Sequence, residues 1–223
     1  MVTQTPFMAM VQAVIFDLDG TLVDSLADIA ASTNACLVRA GLATHDDDAI
    51  RSFVGHGIGA LVDQALGERG TPARVQSMLS AIRAHYHDHC IDRTRPYPGI
   101  EAVLDALHRG GTQLAVVSNK PHGMTQRIVD ALLPDVAFGF VTGERPAVPR
   151  KPDPTGLLLA CAALQAPPSR ALYVGDTPVD IEAARAAGVR SAAVTWGFRD
   201  RHLLEANAPD HLIDTPEQIL SLL

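Results

Sequence analysis

The sequence has few cysteines, few lysines and no long apolar run, and each shortage excludes a class of protein. The three cysteines of the 223-residue chain are an odd number without a CxxC pair, which argues against a disulfide framework and for a reducing compartment. No run reaches the roughly 18 apolar residues of a membrane span. Met1–Met10 has no basic residue ahead of its apolar stretch, unlike a secretory signal. We therefore expect a soluble cytoplasmic protein.

The charge balance is acidic. Asp and Glu number 25 against 18 Lys and Arg, for a formal charge of −7, whereas sequence-independent nucleic-acid binding needs a basic surface. We therefore expect no nucleic-acid partner. With 47% apolar residues the chain can bury a sizeable core. Only two residues are lysines, Lys120 and Lys151, so a lysine within a motif stands out.

Short apolar runs separated by helical segments make up most of the chain. Val11–Phe16 is nearly continuous in apolar residues, as in a strand buried on both faces of a parallel sheet. Similar runs recur at residues 113–117, 136–141, 171–174 and 191–194. Apolar residues at helical spacing, with Gly or Pro at the ends, indicate helices between most of them. This alternation predicts an α/β fold, a doubly wound Rossmann-like parallel sheet.

Residues 24–95 interrupt this alternation with helical segments alone. The predicted helices span residues 25–40, 46–54, 58–66 and 71 to about 90, and no strand is expected among them. RPYPG at residues 95–99 is predicted to be a stiff return linker. The simplest division of the chain is a first core segment (1–23), an inserted all-helical cap domain (24–95) and the rest of the core (96–223).

Two acidic motifs follow predicted strands. Asp17 and Asp19 end the first strand, where side chains two residues apart point the same way, at the edge that binds ligands in such sheets. Asp176 follows a later strand, with Asp180 in the first turn of the next helix. Turn formation and helix capping are the alternatives for these residues. Acids gathered at one edge repel one another, which favours a bound cation, Mg²⁺ before Ca²⁺ or Zn²⁺.

Two further motifs offer groups that can bind an anion. Ser118 and Asn119 follow the apolar run at 113–117 and precede a predicted helix. Free amides at a helix N-terminus can bind phosphate, and N-capping by either side chain is the alternative. Lys151 lies in a loop with prolines on both sides. An ammonium held rigidly near carboxylates can bind a phosphoryl oxygen.

Together these motifs are similar to the four ordered motifs of the haloacid dehalogenase-like hydrolases. They read DLDGT at 17–21, VVSNK at 116–120, KPDP at 151–154 and GDTPVD at 175–180. The resemblance covers nearly the whole chain, and residues 24–95 resemble the cap of that family. It implies that Asp17 is the nucleophile that takes the phosphoryl group, and that Asp19 is first general acid and then general base.

The resemblance also implies how ligands are held. The carboxylates of Asp17 and Asp176 and the backbone carbonyl of Asp19 would bind Mg²⁺, with Asp180 as a direct or indirect partner of the metal site. The phosphoryl oxygens would be bound by Ser118, the Asn119 amide and Lys151.

The expected activity is hydrolysis of a small phosphorylated metabolite by a Mg²⁺-dependent phosphatase through an aspartyl phosphate, under a cap that opens and closes. The best single candidate substrate is 2-phosphoglycolate, and sugar phosphates, an amino-sugar phosphate and pyrophosphate stay open. A phosphomutase of the same family is an alternative. A signalling receiver domain is disfavoured, because it lacks the second Asp and a cap of this size. Both a monomer and a homodimer stay open.

Weaker signals lie in the predicted cap. VGHGIG at 54–59 follows a helical segment, not a strand, which argues against a dinucleotide site. It resembles a cap loop of family members that act on phosphoglycolate, so we expect this loop, with Arg51, His56 and Gly57, to contact the leaving group. His85 and His89 lie one helical turn apart, a spacing that can bind metal, although a solvated helix face is the favoured alternative.

Overall fold

The computed structural model describes residues 10–223 and contains a six-stranded sheet and a two-stranded ribbon. The expectation for Met1–Met10 concerns residues outside this part, apart from Met10. The strands are β1 (Ala13–Phe16), β2 (Val23–Asp24), β3 (Arg95–Pro96), β4 (Gln113–Pro121), β5 (Phe140–Glu144), β6 (Ala171–Gly175), β7 (Arg190–Val194) and β8 (His211–Ile213). The α-helices are α1 (Leu26–Arg39), α2 (Asp47–Phe53), α3 (Gly57–Leu66), α4 (Pro72–His89), α5 (Ile100–Arg109), α6 (His122–Leu132), α7 (Thr155–Ala163), α8 (Pro178–Ala187) and α9 (Arg201–Ala206).

The large sheet is parallel throughout, with strand order β5-β4-β1-β6-β7-β8. β1 lies between β4 and β6, so that Phe16 is opposite both Val116 and Val174. The carboxyl ends of parallel strands share one edge of a sheet. The segments after β1, β4 and β6 therefore lie side by side, and the predicted doubly wound, Rossmann-like α/β fold is confirmed.

Helices cover both faces of this sheet. Val14 and Phe16 belong to a buried apolar cluster that includes residues of α5 and α6, and Ala13 and Ile15 belong to another that includes residues of α7 and α8. Burial on both faces explains why β1 is a nearly continuous apolar run in the sequence. Among the helices of residues 10–223, none combines the length and apolarity needed to cross a membrane.

Helices α1–α4 lie within the span predicted for the cap, but the insert does not consist of helices alone. It begins and ends at an antiparallel pair, β2 and β3, in which Val23 is opposite Pro96 and Asp24 is opposite Arg95. The expectations of no strand within residues 24–95 and of a simple linker at residues 95–99 were therefore wrong at Asp24, Arg95 and Pro96. The two crossings between core and insert run side by side, so their backbones pair.

The predicted domain boundaries at 23/24 and 95/96 fall within this ribbon. One buried apolar cluster includes Phe16 of β1 together with Leu61 and Ile82 of the insert. Because the apolar packing is continuous between the two parts, the division into separate domains stays a prediction.

The strand predicted at residues 136–141 is displaced along the chain. β5 spans Phe140–Glu144, while Val136 and Phe138 lie in a loop and pack against the core. The Phe138 N–H donates to the Val136 carbonyl at 3.0 Å, which is a local turn contact. An apolar run reports burial, and burial alone does not separate a strand from a packed loop.

The strand predicted to end near residue 117 is longer than expected. β4 continues to Pro121, so Ser118 and Asn119 lie within its last residues. α6 begins at His122 with Pro121 at the N-cap position. The alternative in which Ser118 or Asn119 caps this helix is therefore wrong.

Candidate active site

The first acidic motif leaves the centre of the sheet at the end of β1. The Asp17 N–H donates to the Val174 carbonyl at 2.9 Å, so the sheet fixes the position of this residue. Asp17 Oδ1 lies 3.0 Å from Lys151 Nζ. Gly20 has a φ of +82°, and a Cβ there would collide with the Asp176 carboxylate. The turn after β1 thus requires glycine where the two acidic motifs meet.

The second acidic motif leaves the neighbouring strand β6 at the same edge. Asp176 is fully buried, and its carboxylate accepts hydrogen bonds from the Phe198 N–H at 2.8 Å and the Thr21 hydroxyl at 3.3 Å. Carboxylate oxygens of Asp17, Asp176 and Asp180 lie within 4.8 Å of one another. The fold thus brings together three acids that are far apart in the sequence.

Asp180 both caps α8 and faces the site. Its Oδ2 accepts from the Thr177 N–H at 3.0 Å and the Thr177 hydroxyl at 2.6 Å, in a capping box. Its Oδ1 accepts from Lys151 Nζ at 2.7 Å and from the Tyr173 hydroxyl at 3.0 Å. Protein groups engage both oxygens, so the capping alternative and the site role predicted for Asp180 are compatible.

Lys151 is buried among these acids. Its Nζ lies 3.0 Å from Asp17 Oδ1, 2.7 Å from Asp180 Oδ1 and 2.8 Å from the Tyr173 hydroxyl. Burial by itself lowers the pKa of Lys151, but the two carboxylates outweigh burial and hold that pKa above its ordinary value. We call Lys151, Asp17, Asp180 and Tyr173 the core assembly. Tyr173 was not predicted, although a hydroxyl inside an apolar strand is a usable signal, since buried hydroxyls need partners.

The site holds more negative than positive charge. The two lysines face four aspartates, namely Asp17, Asp19, Asp176 and Asp180, a formal excess of two negative charges. Burial raises the pKa of Asp17 to about 6 against the opposing charge of Lys151, and Asp180 adds to the rise. Burial also raises the pKa of Asp176, with Asp180 and Asp17 adding to it. Clustered buried acids with only oxygen donors fit a hard divalent cation such as Mg²⁺.

The end of β4 supplies Ser118 and Asn119. Ser118 is buried and lines the cavity between the sheet edge and the insert. The Asn119 side chain donates to the carbonyls of Lys151 at 3.1 Å and Gly55 at 3.0 Å, and its Oδ1 accepts from the Lys151 N–H at 2.7 Å. The Asn119 side chain therefore connects the Lys151 loop to the insert. This role is separate from the phosphate contact predicted for the backbone N–H of Asn119.

The sequence motifs gave no role to Lys120, yet it lies in the site. Its Nζ is 2.8 Å from both carboxylate oxygens of Asp19 and 2.9 Å from the Tyr86 hydroxyl. Asp19 Oδ1 also accepts from the Ser25 hydroxyl at 2.5 Å. We call Lys120, Asp19 and Tyr86 the cap assembly, because Tyr86 belongs to α4. The rarity of lysine in the chain was the available signal for Lys120.

A cavity of about 70 Å³ separates the sheet edge from the insert. The core residues that line it include Asp17, Asp19, Ser118, Asn119 and Lys120. The insert contributes mainly apolar side chains, among them Ile29, Val54, Ile58, Leu61 and Ile82. Within residues 10–223, the lining supplied by the insert includes no basic side chain. The side of the cavity formed by the core is thus charged, and the side formed by the insert, which we call the roof, is mainly apolar.

Residues 51–57 comprise the end of α2, the loop after it and the first residue of α3. We call this segment the cap loop, and arginine side chains hold it against the core. Arg199 donates to the Arg51 carbonyl at 2.8 Å, and Arg150 donates to the His56 carbonyl at 2.8 Å. The two arginines come from segments after β7 and β5. Core segments that surround the acids therefore also fix the nearest part of the insert.

Of the three cap-loop residues expected to contact a leaving group, the structure brings only Gly57 to the cavity. Arg51 and His56 have exposed side chains outside its lining, and their carbonyls are the groups that face the core. Gly57 has a φ of +83°, and a Cβ there would approach Arg150 Cδ to 2.9 Å. The backbone conformation therefore disfavours a side chain at Gly57, the one of these three residues that reaches the cavity.

The histidine pair of α4 lies outside the site. His85 Nδ1 is 3.0 Å from the Ser32 hydroxyl, and His89 Nδ1 is 2.8 Å from Asp92. In the described part of the chain, the group of Asp17, Asp176 and Asp180 is the only set of three candidate metal ligands close enough to share an ion. His85 is half-buried against α1 and His89 is exposed, so the solvated-helix alternative describes His89 alone.

This fold and this set of acids and lysines define a class of hydrolase. The sequence profile of the haloacid dehalogenase-like hydrolases matches residues 14–194. The chain belongs to this family, as its four motifs predicted.

Two named relatives are similar over nearly their whole length. A phosphoglycolate phosphatase of Aquifex aeolicus is 34% identical over 212 residues, which cover 95% of this chain and 96% of that protein. An N-acetylmuramic acid 6-phosphate phosphatase of Pseudomonas aeruginosa is 35% identical over 219 residues, 95% of this chain and 94% of that protein. A haloacid dehalogenase-like family hydrolase of known structure from Streptococcus pneumoniae is 26% identical, with a TM-score of 0.86. The match covers 95% of this chain and 98% of that chain.

Proposed function

We propose that the protein is a Mg²⁺-dependent phosphatase that hydrolyses a small phosphate monoester through an aspartyl phosphate on Asp17. The observation that carries this proposal is the buried group of Asp17, Asp176 and Asp180 at one sheet edge, with Lys151 between two of them. A dianionic phosphate cannot approach an anionic nucleophile unless positive charge offsets their repulsion. Lys151 supplies one such charge, and a divalent cation would supply the rest.

In the first step, the Asp17 carboxylate attacks phosphorus and the bond to the ester oxygen breaks. Asp19, in its protonated form, gives its proton to the departing oxygen, so that the leaving group departs as an alcohol. Asp17 and Asp19 both line the cavity, which supports these roles.

In the second step, the Asp19 carboxylate takes a proton from water, and the water oxygen attacks phosphorus. The bond to Asp17 breaks, inorganic phosphate forms and both aspartates return to their starting states. One ester and one water thus give one alcohol and one phosphate. The mainly apolar side chains of the insert offer further water few hydrogen-bond partners beside the reacting groups.

Three oxygens are proposed to hold Mg²⁺, from the carboxylates of Asp17 and Asp176 and the backbone carbonyl of Asp19. When bound, the ion offsets the charge of the phosphoryl oxygens. Asp180 is proposed to act beside these ligands, because Lys151, Tyr173 and Thr177 already engage its two oxygens. The phosphoryl oxygens are proposed to be bound by Ser118, the Asn119 amide and Lys151.

The substrate proposed first is 2-phosphoglycolate. The cavity is small, and its roof offers few groups to hydrogen-bond the hydroxyls of a sugar. The Thr33 hydroxyl, for example, donates to the Ile29 carbonyl at 2.8 Å within its own helix. Such a roof favours a small leaving group over a polyhydroxylated one. Among small esters, 2-phosphoglycolate is placed first by the name of the relative from Aquifex aeolicus, because the lining that the insert supplies within residues 10–223 has no basic side chain to pair with a carboxylate. A sugar or amino-sugar phosphate is the second candidate, supported by the name of the relative from Pseudomonas aeruginosa.

A panel of phosphate esters, assayed with Mg²⁺ by phosphate release and ranked by kcat/KM, tests this proposal. It includes 2-phosphoglycolate, ethyl phosphate, glucose 6-phosphate, an amino-sugar phosphate and pyrophosphate. We expect 2-phosphoglycolate to lead. Another leading ester would correct the substrate and leave the class intact. Turnover of a phosphosugar without steady phosphate release would identify a phosphomutase, and no turnover of any ester would contradict the proposed function.

We also propose that the protein is cytoplasmic. It would act as a monomer or a homodimer. All three cysteines are free and buried, which supports a reducing compartment.

A further inference from the structure

The ammonium of Lys120 has three N–H donors, and each has an acceptor. Asp19 Oδ1 and Oδ2 accept two at 2.8 Å, and the Tyr86 hydroxyl accepts the third at 2.9 Å. Lys120 is buried, so an N–H donor that lost its acceptor here would cost more free energy than one at the surface. Burial alone lowers the pKa of Lys120, but Asp19 and Tyr86 raise it above its ordinary value, so the charge is retained.

Tyr86 reaches this ammonium from the insert. Met78, Ile82 and Tyr86 are the buried residues of α4 and recur every fourth position, so one face of the helix packs inward. Tyr86 is 4% exposed, and its ring centre lies 4.6 Å from Lys120 Nζ. The packing of α4 therefore sets where the hydroxyl lies, and the hydroxyl holds the far side of the ammonium.

Asp19 is consequently held from two directions. The Ser25 hydroxyl, at the start of α1, donates to Oδ1, and Lys120 donates to both oxygens. Without the Tyr86 hydroxyl, one N–H of a buried ammonium would lack its acceptor, and the ammonium would turn toward another. The carboxylate that it holds would then shift relative to an ester oxygen in the cavity.

We propose that Tyr86 is a positioning residue that acts through Lys120 on the carboxylate of Asp19, so that proton transfer to the leaving group depends on a side chain of the insert. The proposal rests on the proposed function, because it takes Asp19 as the proton donor. Tyr86 is given no direct contact with the reacting atoms.

The test compares two substrates of similar size that differ in their need for a proton. From an alkyl phosphate, either 2-phosphoglycolate or the leading alkyl ester of the panel, the alcohol group leaves as a strongly basic alkoxide unless it is protonated. From acetyl phosphate the leaving group is acetate, a weak base that needs no proton. Since kcat/KM includes the first phosphoryl transfer, it is measured for both substrates with the wild type, Tyr86→Phe, Lys120→Met and the double variant. Tyr97→Phe is the matched control, because Tyr97 lies outside the cavity lining.

We expect Tyr86→Phe to lower kcat/KM about 10-fold for the alkyl phosphate and less than about 2-fold for acetyl phosphate. In the Lys120→Met background, the same change should alter the alkyl reaction less than about 2-fold, because the intermediary is already absent. Tyr97→Phe should leave the ratio of the two substrates unchanged. Thermal melting of each variant checks that the fold persists.

Equal losses for the two substrates would overturn the proposal and indicate a structural role for Tyr86. A full loss from Tyr86→Phe in the Lys120→Met background would also overturn it, because Tyr86 would then act on the substrate directly. Failure of the proposed function would look different, since the wild type itself would then release no phosphate from either compound.

Discussion

The two lysines of the chain form similar assemblies that rest on different parts of the molecule. Lys151 contacts Asp17, Asp180 and the Tyr173 hydroxyl, and all of these belong to β1, β6, α8 and the segments that adjoin them in the core. Lys120 contacts Asp19 in the core and the Tyr86 hydroxyl in the insert. In each case a tyrosine hydroxyl supports an ammonium that is paired with an aspartate.

This difference separates two tasks that the proposed reaction requires. The core assembly surrounds the proposed nucleophile and rests on the central strands, whose backbone hydrogen bonds fix its geometry. The cap assembly surrounds the proposed proton donor and is complete only with α4 in place. Phosphoryl transfer should therefore depend mainly on the core, whereas the response to different leaving groups should depend on the insert.

The strongest way to break the comparison is to remove the nucleophile from the core assembly. Asp17→Asn should lower kcat by about 10⁴-fold or more, because an amide does not form the phosphoryl intermediate. The fold should persist, because the change removes a buried carboxyl group whose pKa burial raises to about 6 and whose charged form is therefore costly to bury. Phosphate release and thermal melting measure the two effects. Full activity in this variant would remove Asp17 from the mechanism.

Replacing each lysine by methionine compares the two assemblies directly. Lys151→Met should lower kcat by about 10³-fold for every ester, because the charge next to the nucleophile and the phosphoryl group is lost. Lys120→Met should cost about 10- to 100-fold for alkyl esters and much less for acetyl phosphate. The measurement is the steady-state rate of each variant with an alkyl ester and with acetyl phosphate. If both variants lost the same factor for the two substrates, the division of tasks would be refuted.

Metal binding sharpens the comparison through pH. A carboxyl whose pKa is raised from 3.8 to about 6, as in Asp17, stabilises the fold only while it is protonated. This contribution is full below about pH 4 and is lost as the pH rises through about 6. The metal-free protein should therefore melt at a lower temperature at pH 8 than at pH 5.

Added Mg²⁺ should reverse this loss, because it binds the deprotonated acids. At a Mg²⁺ concentration 100 times the Kd that applies at pH 8, the free energy of unfolding should rise by about 2.7 kcal/mol at pH 8. The same concentration should raise it less at pH 5, because protons compete with Mg²⁺ for the acids and the Kd is higher. Calorimetry at the two pH values, with and without Mg²⁺, measures the effect. Asp17→Asn is the control, in which both the pH dependence and the Mg²⁺ effect should shrink. A Mg²⁺ effect that is equal at both pH values would contradict this account.

The smallest expected effect concerns the contacts that hold the insert to the core. Arg199→Met removes hydrogen bonds to carbonyls of the cap loop, including that of Arg51. Three such bonds are lost, to the carbonyls of Arg51, Ser52 and Val54, but water can replace much of their energy at this surface, so KM should rise only about 3- to 10-fold. Arg201→Met, which removes only exposed ion pairs, serves as the control. A KM that stays at the wild-type value would show that these contacts do not govern substrate binding.

Much of the core could be predicted because its signals are local. Burial of β1 on both faces requires an apolar run, and the acids that end β1 and β6 follow such runs directly. The parallel sheet then brings Asp17 and Asp176 to one edge. By contrast, the strand predicted at 136–141 was misplaced. Val136 and Phe138 lie in a loop that packs against the core, and such a loop requires apolar residues just as a buried strand does.

The insert was predictable as helices but not as a partner of the site. Helical spacing located α1–α4, and caps such as Thr71 marked where a helix begins. Spacing did not indicate that Arg51 and His56 would turn their carbonyls toward the core and their side chains toward solvent. That orientation depends on the contacts of Arg51 with Arg199 and of His56 with Arg150, which are 148 and 94 positions apart in the sequence.

The sequence by itself determined the α/β class, the helical insert, the acids that end β1 and β6, and the lysine of the proline-flanked loop, because each follows from residue types at short spacing. Only the tertiary structure decided that Lys120 pairs with Asp19 and that Tyr86 completes the pair from the insert. Those residues are 101 and 34 positions apart, and no local spacing encodes a contact that forms only when two packed surfaces meet.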